Sequence, residues 1–439
     1  MLHKFQAEGT DAGLNFDIAL EPGKKVYCFI GENGVGKTNL AENLARSLLY
    51  VHSLLSEDGN GKFSQLFLQK KINERLKSLF LQLAGTLQLD GVSVKDRKGD
   101  SWSSSPLEYV FQRGSKGYQF DTPLVFIGAR DRGYIRNIQS DRLQILGDRQ
   151  DRFIDAFSRT FKACSDIEHT IDTLSTADWF NSRLIINPAF VVGEDDRSHE
   201  VVAVLNLIKE LEPSMAALVV PNKDGSSNLV DIQFREGKLW FSGTPIDKLA
   251  TGYVALVRIF QEIVGGYGGW TGALPDKTPP GEVEGVVFID EIESHLHPKW
   301  QAQLLPLLRR SFPKTTFFIC THSPLVVSST EEGEAYELER KGRNVTARKI
   351  GNPRDWYLAD VYSQAFHVSL PLTGSSPVDS GSPLVDTMEQ FSIEVKDYLR
   401  TKDEKHKQEA LRLYDKIIPS LPPSDPRRKS LDSLKALLP

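Results

Sequence analysis

The sequence lacks any long apolar run: none of its 439 residues lies in a stretch of about 18 consecutive apolar residues, the length a membrane-spanning helix needs. Its first residues, MLHKFQAEGT, also lack the apolar core of a secretory signal. Only three cysteines are present and none forms a Cys-x-x-Cys pair, which argues against a disulfide framework and a cysteine-built zinc site. These absences predict a cytoplasmic protein with no membrane partner.

The sequence also has no excess of positive charge. The formal net charge is −5 and the calculated pI is about 6.1, so no global positive field attracts nucleic acid, although local basic patches remain possible. No apolar seven-residue repeat is sustained, which excludes a long coiled-coil arm. A composition of 40% hydrophobic and 25% charged residues is typical of a globular protein.

A glycine-rich segment, GENGVGKT at residues 31–38, follows the apolar run VYCFI and precedes an amphipathic helix pattern. Its glycines permit tight turns whose backbone N–H groups point toward an anion. Lys37 is placed to reach the β- and γ-phosphates of a nucleotide, and the Thr38 hydroxyl to bind Mg²⁺. The alternative, a glycine-rich turn that binds nothing, leaves this Lys-Thr pair unexplained. The predicted nucleotide-binding residues here are Asn33, Gly34, Gly36, Lys37, Thr38 and Asn39.

Two carboxylates follow the apolar segment VVFI. Asp290 is predicted to hold Mg²⁺ beside Thr38, and Glu291 to take the proton of an attacking water. A further apolar segment, TTFFIC at 315–320, predicts a strand ending in His322, whose ring can hydrogen-bond the γ-phosphate. The alternative for His322 is burial under the following helix.

These segments occur in the order GENGVGKT, LATGY, VVFIDEIESHLHP and CTHSP, and in that order they resemble the motifs of ABC-type ATPases. That superfamily includes the chromosome-maintenance and double-strand-break-repair ATPases. DEIESHLHPKWQ with CTHSP is most similar to compact bacterial ATPases of phage-defence systems, such as Septu and PARIS, and to the ATPase half of OLD-family nucleases. The resemblance implies an α/β fold, with a P-loop ATPase head containing a mixed sheet, a helical insertion forming a lid and a C-terminal helical segment. It also implies ATP and Mg²⁺ as cofactors.

The predicted organisation has four parts. They are an ATPase lobe with the phosphate loop at 1–150, a helical insertion at 151–212, a second lobe with the remaining motifs at 213–370, and a C-terminal helical segment at 384–439. Within them the patterns predict a helix at 63–84, a strand at 86–96 and a hairpin turning at Glu236–Gly237. Residues 371–383, rich in Pro, Gly and Ser, predict a linker before the last part.

The resemblance makes LATGY at 249–253 the signature motif, in which Leu249 and Gly252 match the family pattern and cap the nucleotide of the opposite subunit. This implies at least a homodimer. Ala250 departs from the pattern, because the family has a serine there. Slow hydrolysis, or binding with little turnover, is therefore an open alternative.

Gln139 is the first glutamine after the strand predicted at 124–127, and is assigned to the glutamine loop that contacts the nucleotide in this family. The intervening segment is longer than the family pattern leads us to expect. Its Arg130 and Arg132 either contact phosphate or a partner, or belong to a solvated basic loop.

His295 and His297, with Glu293 and Asp290, suggest a metal site, but no convergent ligand set is visible around them. The family resemblance instead places the two histidines in its dimer-contacting loop. The acidic run at 194–196 precedes the signature and is expected to be a surface turn. Residues 323–439 offer neither the carboxylates of a Toprim nuclease nor an HNH-type histidine cluster. We therefore expect no nuclease centre in this chain.

The leading hypothesis is that the chain is the ATP-binding and hydrolysing subunit of a two-component anti-phage defence complex. It would control a separately encoded nuclease of HNH or Toprim type, with a phage protein as a possible trigger. The main alternative is a DNA-repair or recombination ATPase that clamps DNA when ATP binds. A transporter ATPase fits poorly, because that class needs a groove for coupling to membrane helices.

Overall fold

The computed structural model describes fifteen parts of the chain. They are residues 4–7, 10, 12–50, 122–129, 147–164, 176–184, 197–214, 219–221, 227–229, 232–235, 238–241, 243–271, 278–368, 383–421 and 426–438. The helix predicted at 63–84 and the strand predicted at 86–96 lie outside the described residues. So do Gln139, Arg130, Arg132 and the acidic run at 194–196.

The described strands run in chain order as follows: β1 (Lys4–Ala7), β2 (Asn15–Ala19), β3 (Val26–Ile30), β4 (Leu124–Ile127), β5 (Val219–Pro221), β6 (Ser227–Leu229), β7 (Ile232–Arg235), β8 (Lys238–Phe241), β9 (Thr244–Pro245), β10 (Val286–Ile289), β11 (Thr316–Cys320), β12 (Ala335–Lys341) and β13 (Asn344–Lys349). The described helices are α1 (Lys37–Tyr50), α2 (Arg149–Ala163), α3 (Thr176–Leu184), α4 (Ser198–Leu211), α5 (Thr251–Thr271), α6 (Pro298–Ser311), α7 (Pro324–Val327), α8 (Leu358–Ala365), α9 (Pro383–Thr401), α10 (Glu404–Ile417) and α11 (Pro426–Lys435).

Eight strands form one mixed sheet in the order β1-β2-β13-β12-β3-β11-β10-β4. The four strands β3, β11, β10 and β4 are parallel, and β12 also lies parallel to β3. The pairs β1–β2 and β12–β13 are antiparallel. The fold is therefore α/β with a mixed sheet, as the resemblance implied. Its parallel part brings the carboxyl ends of β3, β10 and β11 to one edge, where ligands of such sheets bind.

The parallel strands are continuous apolar runs, the pattern expected where both faces of a sheet are buried. All five residues of β3 are buried. Phe288 of β10 stacks on Phe318 of β11 with ring centroids 4.7 Å apart, and on Phe126 of β4 at 5.9 Å. Burial of these rings on adjacent strands fixes the register that aligns the strand ends.

The helices α2, α3 and α4 pack around α5, an apolar helix of 21 residues. Small residues in α5 permit this close packing, since a Cβ at Gly265 would lie 2.6 Å from Nε1 of Trp179. Arg183 of α3 and Glu200 of α4 form a buried ion pair, with Nε and Oε2 2.7 Å apart. The insertion predicted at 151–212 therefore contains helices in its described parts. They support α5, whose first turn carries the signature segment.

One local prediction needs correction. The strand predicted to end in His322 ends at Cys320, because the His322 N–H donates to the Glu293 carboxylate and Ser323 begins the next helix as its N-cap.

The linker predicted at 371–383 lies outside the described residues except for Pro383. This proline opens α9, since a proline's missing N–H is not needed in the first helical turn. The predicted hairpin is confirmed by the antiparallel pair β7–β8.

The contacts divide the chain into two compact units, Met1–Val361 and Tyr362–Pro439. The second unit has a core of its own formed by α9, α10 and α11, in which Phe391 and Tyr414 face each other at 6.0 Å. The four-part organisation predicted from the sequence stays a prediction. In the described part of the chain, no helix is long and apolar enough to cross a membrane.

Candidate functional site

The phosphate loop connects β3 to α1. Gly31, Gly34 and Gly36 have φ angles of 146°, 78° and 109°, in the left-handed region that glycine adopts without steric cost. Space is restricted as well. A Cβ at Gly36 would lie 2.8 Å from Cδ1 of Leu14, and one at Gly31 would lie 2.9 Å from the Leu338 carbonyl oxygen. Both dihedral angle and space therefore require glycine at positions 31 and 36.

Lys37 is the first residue of α1, and its ammonium group turns back over the loop. Nζ donates to the carbonyl oxygens of Gly31 at 2.8 Å and Glu32 at 3.1 Å. Burial lowers the pKa of Lys37, while neighbouring acidic groups such as Asp290 act in the opposite sense. The ammonium group thus lies against the loop.

Thr38 and Asp290 meet at the end of the sheet. Thr38 Oγ1 donates to Asp290 Oδ2 at 2.9 Å, and the Asp290 N–H donates to the Ile127 carbonyl of β4 at 2.9 Å. Hydroxyl and carboxylate oxygens are ligands that Mg²⁺ prefers. The donor set therefore fits the ion, with Thr38 and Asp290 as the residues that would hold it.

The remaining loop residues have different surroundings. Asn33 is exposed, and Asn39 accepts a hydrogen bond from Thr10 Oγ1 at 3.0 Å through its Oδ1. Arg340, which the sequence analysis did not single out, donates from Nη1 to the Gly34 carbonyl at 2.9 Å. This arginine lies on β12 and is far away in sequence, so no local motif could have identified it.

Glu291 follows Asp290 with a φ of 46°, which is unusual for a residue other than glycine. Its Oε2 accepts a hydrogen bond from Ser294 Oγ at 2.9 Å. The Ser294 N–H also donates to the Glu291 carbonyl at 2.9 Å, which closes a tight turn. The half-buried carboxylate is therefore held at the edge that carries Asp290.

His322 lies two residues beyond β11, the neighbour of β10. Burial lowers the pKa of His322, and the positive charge of Lys37 adds to this effect. Carboxylates at Glu293, Glu291 and Asp290 act in the opposite sense. Lys37, Thr38, Asp290, Glu291 and His322 thus lie at one edge of the sheet, and their role as a nucleotide site stays a prediction.

The signature segment leads into the first turn of α5, and its neighbours differ from those of the phosphate loop. The Ala250 carbonyl accepts the N–H groups of Tyr253 at 2.9 Å and Val254 at 3.2 Å, so Ala250 is the N-cap residue. A Cβ at Gly252 would lie 2.9 Å from the His295 carbonyl oxygen and 3.0 Å from Cζ3 of Trp300. Leu249 closes the preceding 3₁₀ turn. Within one chain, Gly252 packs against the segment that follows β10 and not against the phosphate loop.

The segment that follows β10 contains two histidines, His295 and His297, which the sequence suggested as metal ligands. His295 is exposed with a φ of 67°, and His297 is the N-cap of α6, where its Nδ1 accepts the Lys299 N–H at 3.2 Å. Among the described residues, no group of three or more His, Cys, Asp or Glu side chains is arranged to hold a metal ion.

Comparison with known proteins gives a family match and two groups of relatives. The family described as "AAA domain, putative AbiEii toxin, Type IV TA system" matches residues 270–328, which include Asp290, Glu291 and His322. Septu protein PtuA of Bacillus mycoides (strain KBAB4) is 31% identical over 103 residues, covering 23% of this chain and 14% of the relative. Retron Ec83 probable ATPase of Escherichia coli is 33% identical over 93 residues, covering 21% and 17%.

Among solved structures, an Smc head bound to the C-winged helix domain of ScpA matches with a TM-score of 0.36 and 12% identity, over 80% of this chain and 97% of that one. The chain spans less than a fifth of the length of the two relatives above. By sequence, this chain is thus related to the Septu PtuA proteins and to retron ATPases.

Proposed function

We propose that the chain binds ATP with Mg²⁺ and hydrolyses it. The observation that supports this most directly is the 2.9 Å contact between Thr38 Oγ1 and Asp290 Oδ2. It joins the start of α1 to the end of β10 beside a glycine loop that suits phosphate. Residues 252 positions apart thereby form one oxygen-rich site next to the Lys37 ammonium.

Each residue at this edge has a role in the proposed reaction. Lys37 supplies positive charge to the phosphates. Bound Mg²⁺, held by Thr38 and Asp290, would neutralise charge on the phosphate oxygens. Glu291 takes the proton of the attacking water, and the Ser294 hydroxyl orients its carboxylate. His322, whose pKa is lowered, offers a neutral imidazole to the γ-phosphate.

The active assembly in this proposal is a homodimer or a larger homo-oligomer. The family resemblance assigns ATP to a position between Lys37 of one subunit and Gly252 of the next. The geometry of one chain agrees with this, because its Gly252 packs against Trp300 and its own phosphate loop has other neighbours. Symmetric association of two copies would complete two such sites at once.

The broader role we propose is that of a cytoplasmic subunit in a two-component anti-phage defence complex. Similarity to proteins named for Septu and retron systems supports this role. ATP state would control a separately encoded nuclease of HNH or Toprim type, released or activated by a phage component. The insertion around α4 and the second unit, Tyr362–Pro439, are the candidate docking parts.

Calorimetry tests the nucleotide site. Lys37→Ala is expected to abolish Mg²⁺-dependent ATP binding, since a charge-assisted contact to the phosphates disappears. Lys24→Ala is a matched control, because Lys24 precedes the opposite end of β3 and pairs with Glu21. Equal ATP affinity in the wild type and Lys37→Ala would rule out this site.

Phage challenge tests the biological role. Cells co-expressing the chain and the product of the neighbouring gene should be protected, and Lys37→Ala or removal of residues 383–439 should abolish protection. Lys24→Ala should preserve it. Two results would contradict the proposal that the ATPase and the nuclease are separate chains. One is that both defective variants still protect the cells, and the other is that the ATPase alone cuts DNA or RNA.

A further inference from the structure

The carboxylate of Glu293 connects the segment after β10 to the segment after β11. Its Oε2 accepts a hydrogen bond from Thr321 Oγ1 at 2.6 Å, and its Oε1 accepts the His322 N–H at 2.5 Å. The two carboxylate oxygens therefore accept hydrogen bonds from two consecutive residues, Thr321 and His322. Hydrogen bonds to a charged acceptor are stronger than those between neutral groups.

Gln301 of α6 makes a second connection between the same segments. Its Oε1 accepts from Ser323 Oγ at 2.6 Å, and its Nε2 donates to the Leu296 carbonyl at 2.9 Å. The Ser323 N–H in turn donates to Thr321 Oγ1 at 2.9 Å. Glu293 and Gln301 together contact all three residues of the turn at 321–323.

Such bonds could serve only to pack a turn, but their position favours a more specific role. The β10–β11 ladder pairs Ile289 with Ile319 and goes no further along β10, so regular sheet pairing does not align the residues beyond it. Glu291 and His322 both lie in that unpaired region. Side-chain bonds from Glu293 and Gln301 join the two turns there, beside a backbone bond from the Ile292 N–H to the Cys320 carbonyl at 3.2 Å.

We infer that Glu293 and Gln301 are positioning residues, which hold His322 in a fixed place relative to Glu291 during ATP hydrolysis. Neither side chain needs to touch the nucleotide. This inference rests on the proposed ATPase function and adds two residues to it. A misplacement of about 1 Å in a reacting group can cost on the order of 100-fold in rate.

Steady-state ATPase kinetics test the inference. Glu293→Ala and Gln301→Ala are each expected to lower kcat by about 10- to 100-fold, with KM changed less than about threefold. Glu293→Gln should recover most of the rate, because its amide can accept the His322 N–H and donate to Thr321 Oγ1. Glu284→Ala is the matched control: this exposed glutamate precedes β10 at the other end of the strand, and its loss should leave kcat unchanged.

The outcomes separate the two proposals. A wild-type protein that neither binds nor hydrolyses ATP overturns the proposed function and this inference with it. If the wild type hydrolyses ATP and both alanine variants keep its kcat, only the positioning role is overturned. A large rise in KM at constant kcat would assign Glu293 and Gln301 to substrate binding, which also overturns it. If Glu293→Gln were as slow as Glu293→Ala, the rate would depend on the negative charge of Glu293 and not on its hydrogen bonds. The positioning role would then be overturned. If Glu293→Ala does not fold, Gln301→Ala decides the question, since Gln301 of α6 is only half-buried.

Discussion

Gly252 lies against the indole ring of Trp300, so close that a Cβ at Gly252 would be 3.0 Å from Cζ3. Tyr253 contacts the same ring edge-on, with centroids 5.1 Å apart. The first turn of α5 is thereby fixed to the first turn of α6. The signature segment is therefore packed against the residues that follow Asp290 and Glu291.

We expect Gly252→Ala to lower the unfolding temperature by several degrees. The new methyl group would collide with the His295 carbonyl oxygen, and overpacking of this kind typically costs about 1–3 kcal/mol. Gly128→Ala is the control, because a Cβ there meets no atom within 4 Å. Thermal unfolding of both variants measures the difference. Equal unfolding temperatures would mean that the contact between α5 and α6 adjusts to the added methyl group without loss of stability.

Glu291→Gln is expected to bind ATP normally and to lower turnover by about 100- to 10,000-fold, since an amide does not accept the proton of water. The ATP-bound form should then accumulate as a dimer. Light scattering with and without ATP measures its mass, and Glu284→Ala provides a control with normal turnover. A monomeric mass for Glu291→Gln at saturating ATP would contradict the shared-site assembly.

Ala250→Ser is expected to raise both stability and turnover. A serine at this N-cap position can accept a backbone N–H of the first turn of α5, which is worth about 1 kcal/mol. Its hydroxyl could also hydrogen-bond the γ-phosphate across the dimer. Ala250→Gly separates the effects, because glycine improves the cap without a hydroxyl. A turnover rate unchanged in Ala250→Ser would show that Thr251 or the backbone already fills this role.

His322 should titrate below its ordinary pKa of about 6.5 in the nucleotide-free protein, because burial and the charge of Lys37 both lower its pKa. Lys37→Ala is therefore expected to raise the pKa of His322, and Lys24→Ala to leave it unchanged. The unfolded chain binds this proton more readily. The contribution of His322 therefore lowers stability as the pH falls from about 6.5 through the folded-state pKa.

NMR of labelled imidazole groups measures this titration, with the His322 signal assigned by its loss in His322→Gln. A His322 pKa at or above 6.5 in the wild type would contradict the environment described for the ring. An unchanged His322 pKa in Lys37→Ala would show that the charge of Lys37 does not lower the pKa of His322.

The sequence predicted those parts of the site whose signals are local. The phosphate loop and the carboxylates after VVFI each combine an apolar strand with a short polar motif, and β3 and β10 form where those patterns lie. The position of β3 between β11 and β12 could not be predicted in this way, because it depends on pairing between distant segments.

Side-chain connections were harder to anticipate. Glu293 was considered only as a metal ligand, although its bonds to Thr321 and His322 hold a turn. His297, also considered as a ligand, caps α6. In both cases a polar residue type fits several partners, and only the folded geometry selects one of them.

The strand order has a consequence for synthesis on the ribosome. Val26 of β3 pairs with Phe317 of β11, and Cys28 pairs with Ala335 of β12, so among the described strands both neighbours of β3 are translated long after it. At about 5–20 residues per second, the nascent chain carries this apolar strand without a partner for on the order of tens of seconds. The phosphate loop that follows β3 is therefore flanked by both neighbouring strands only after β12 has left the exit tunnel.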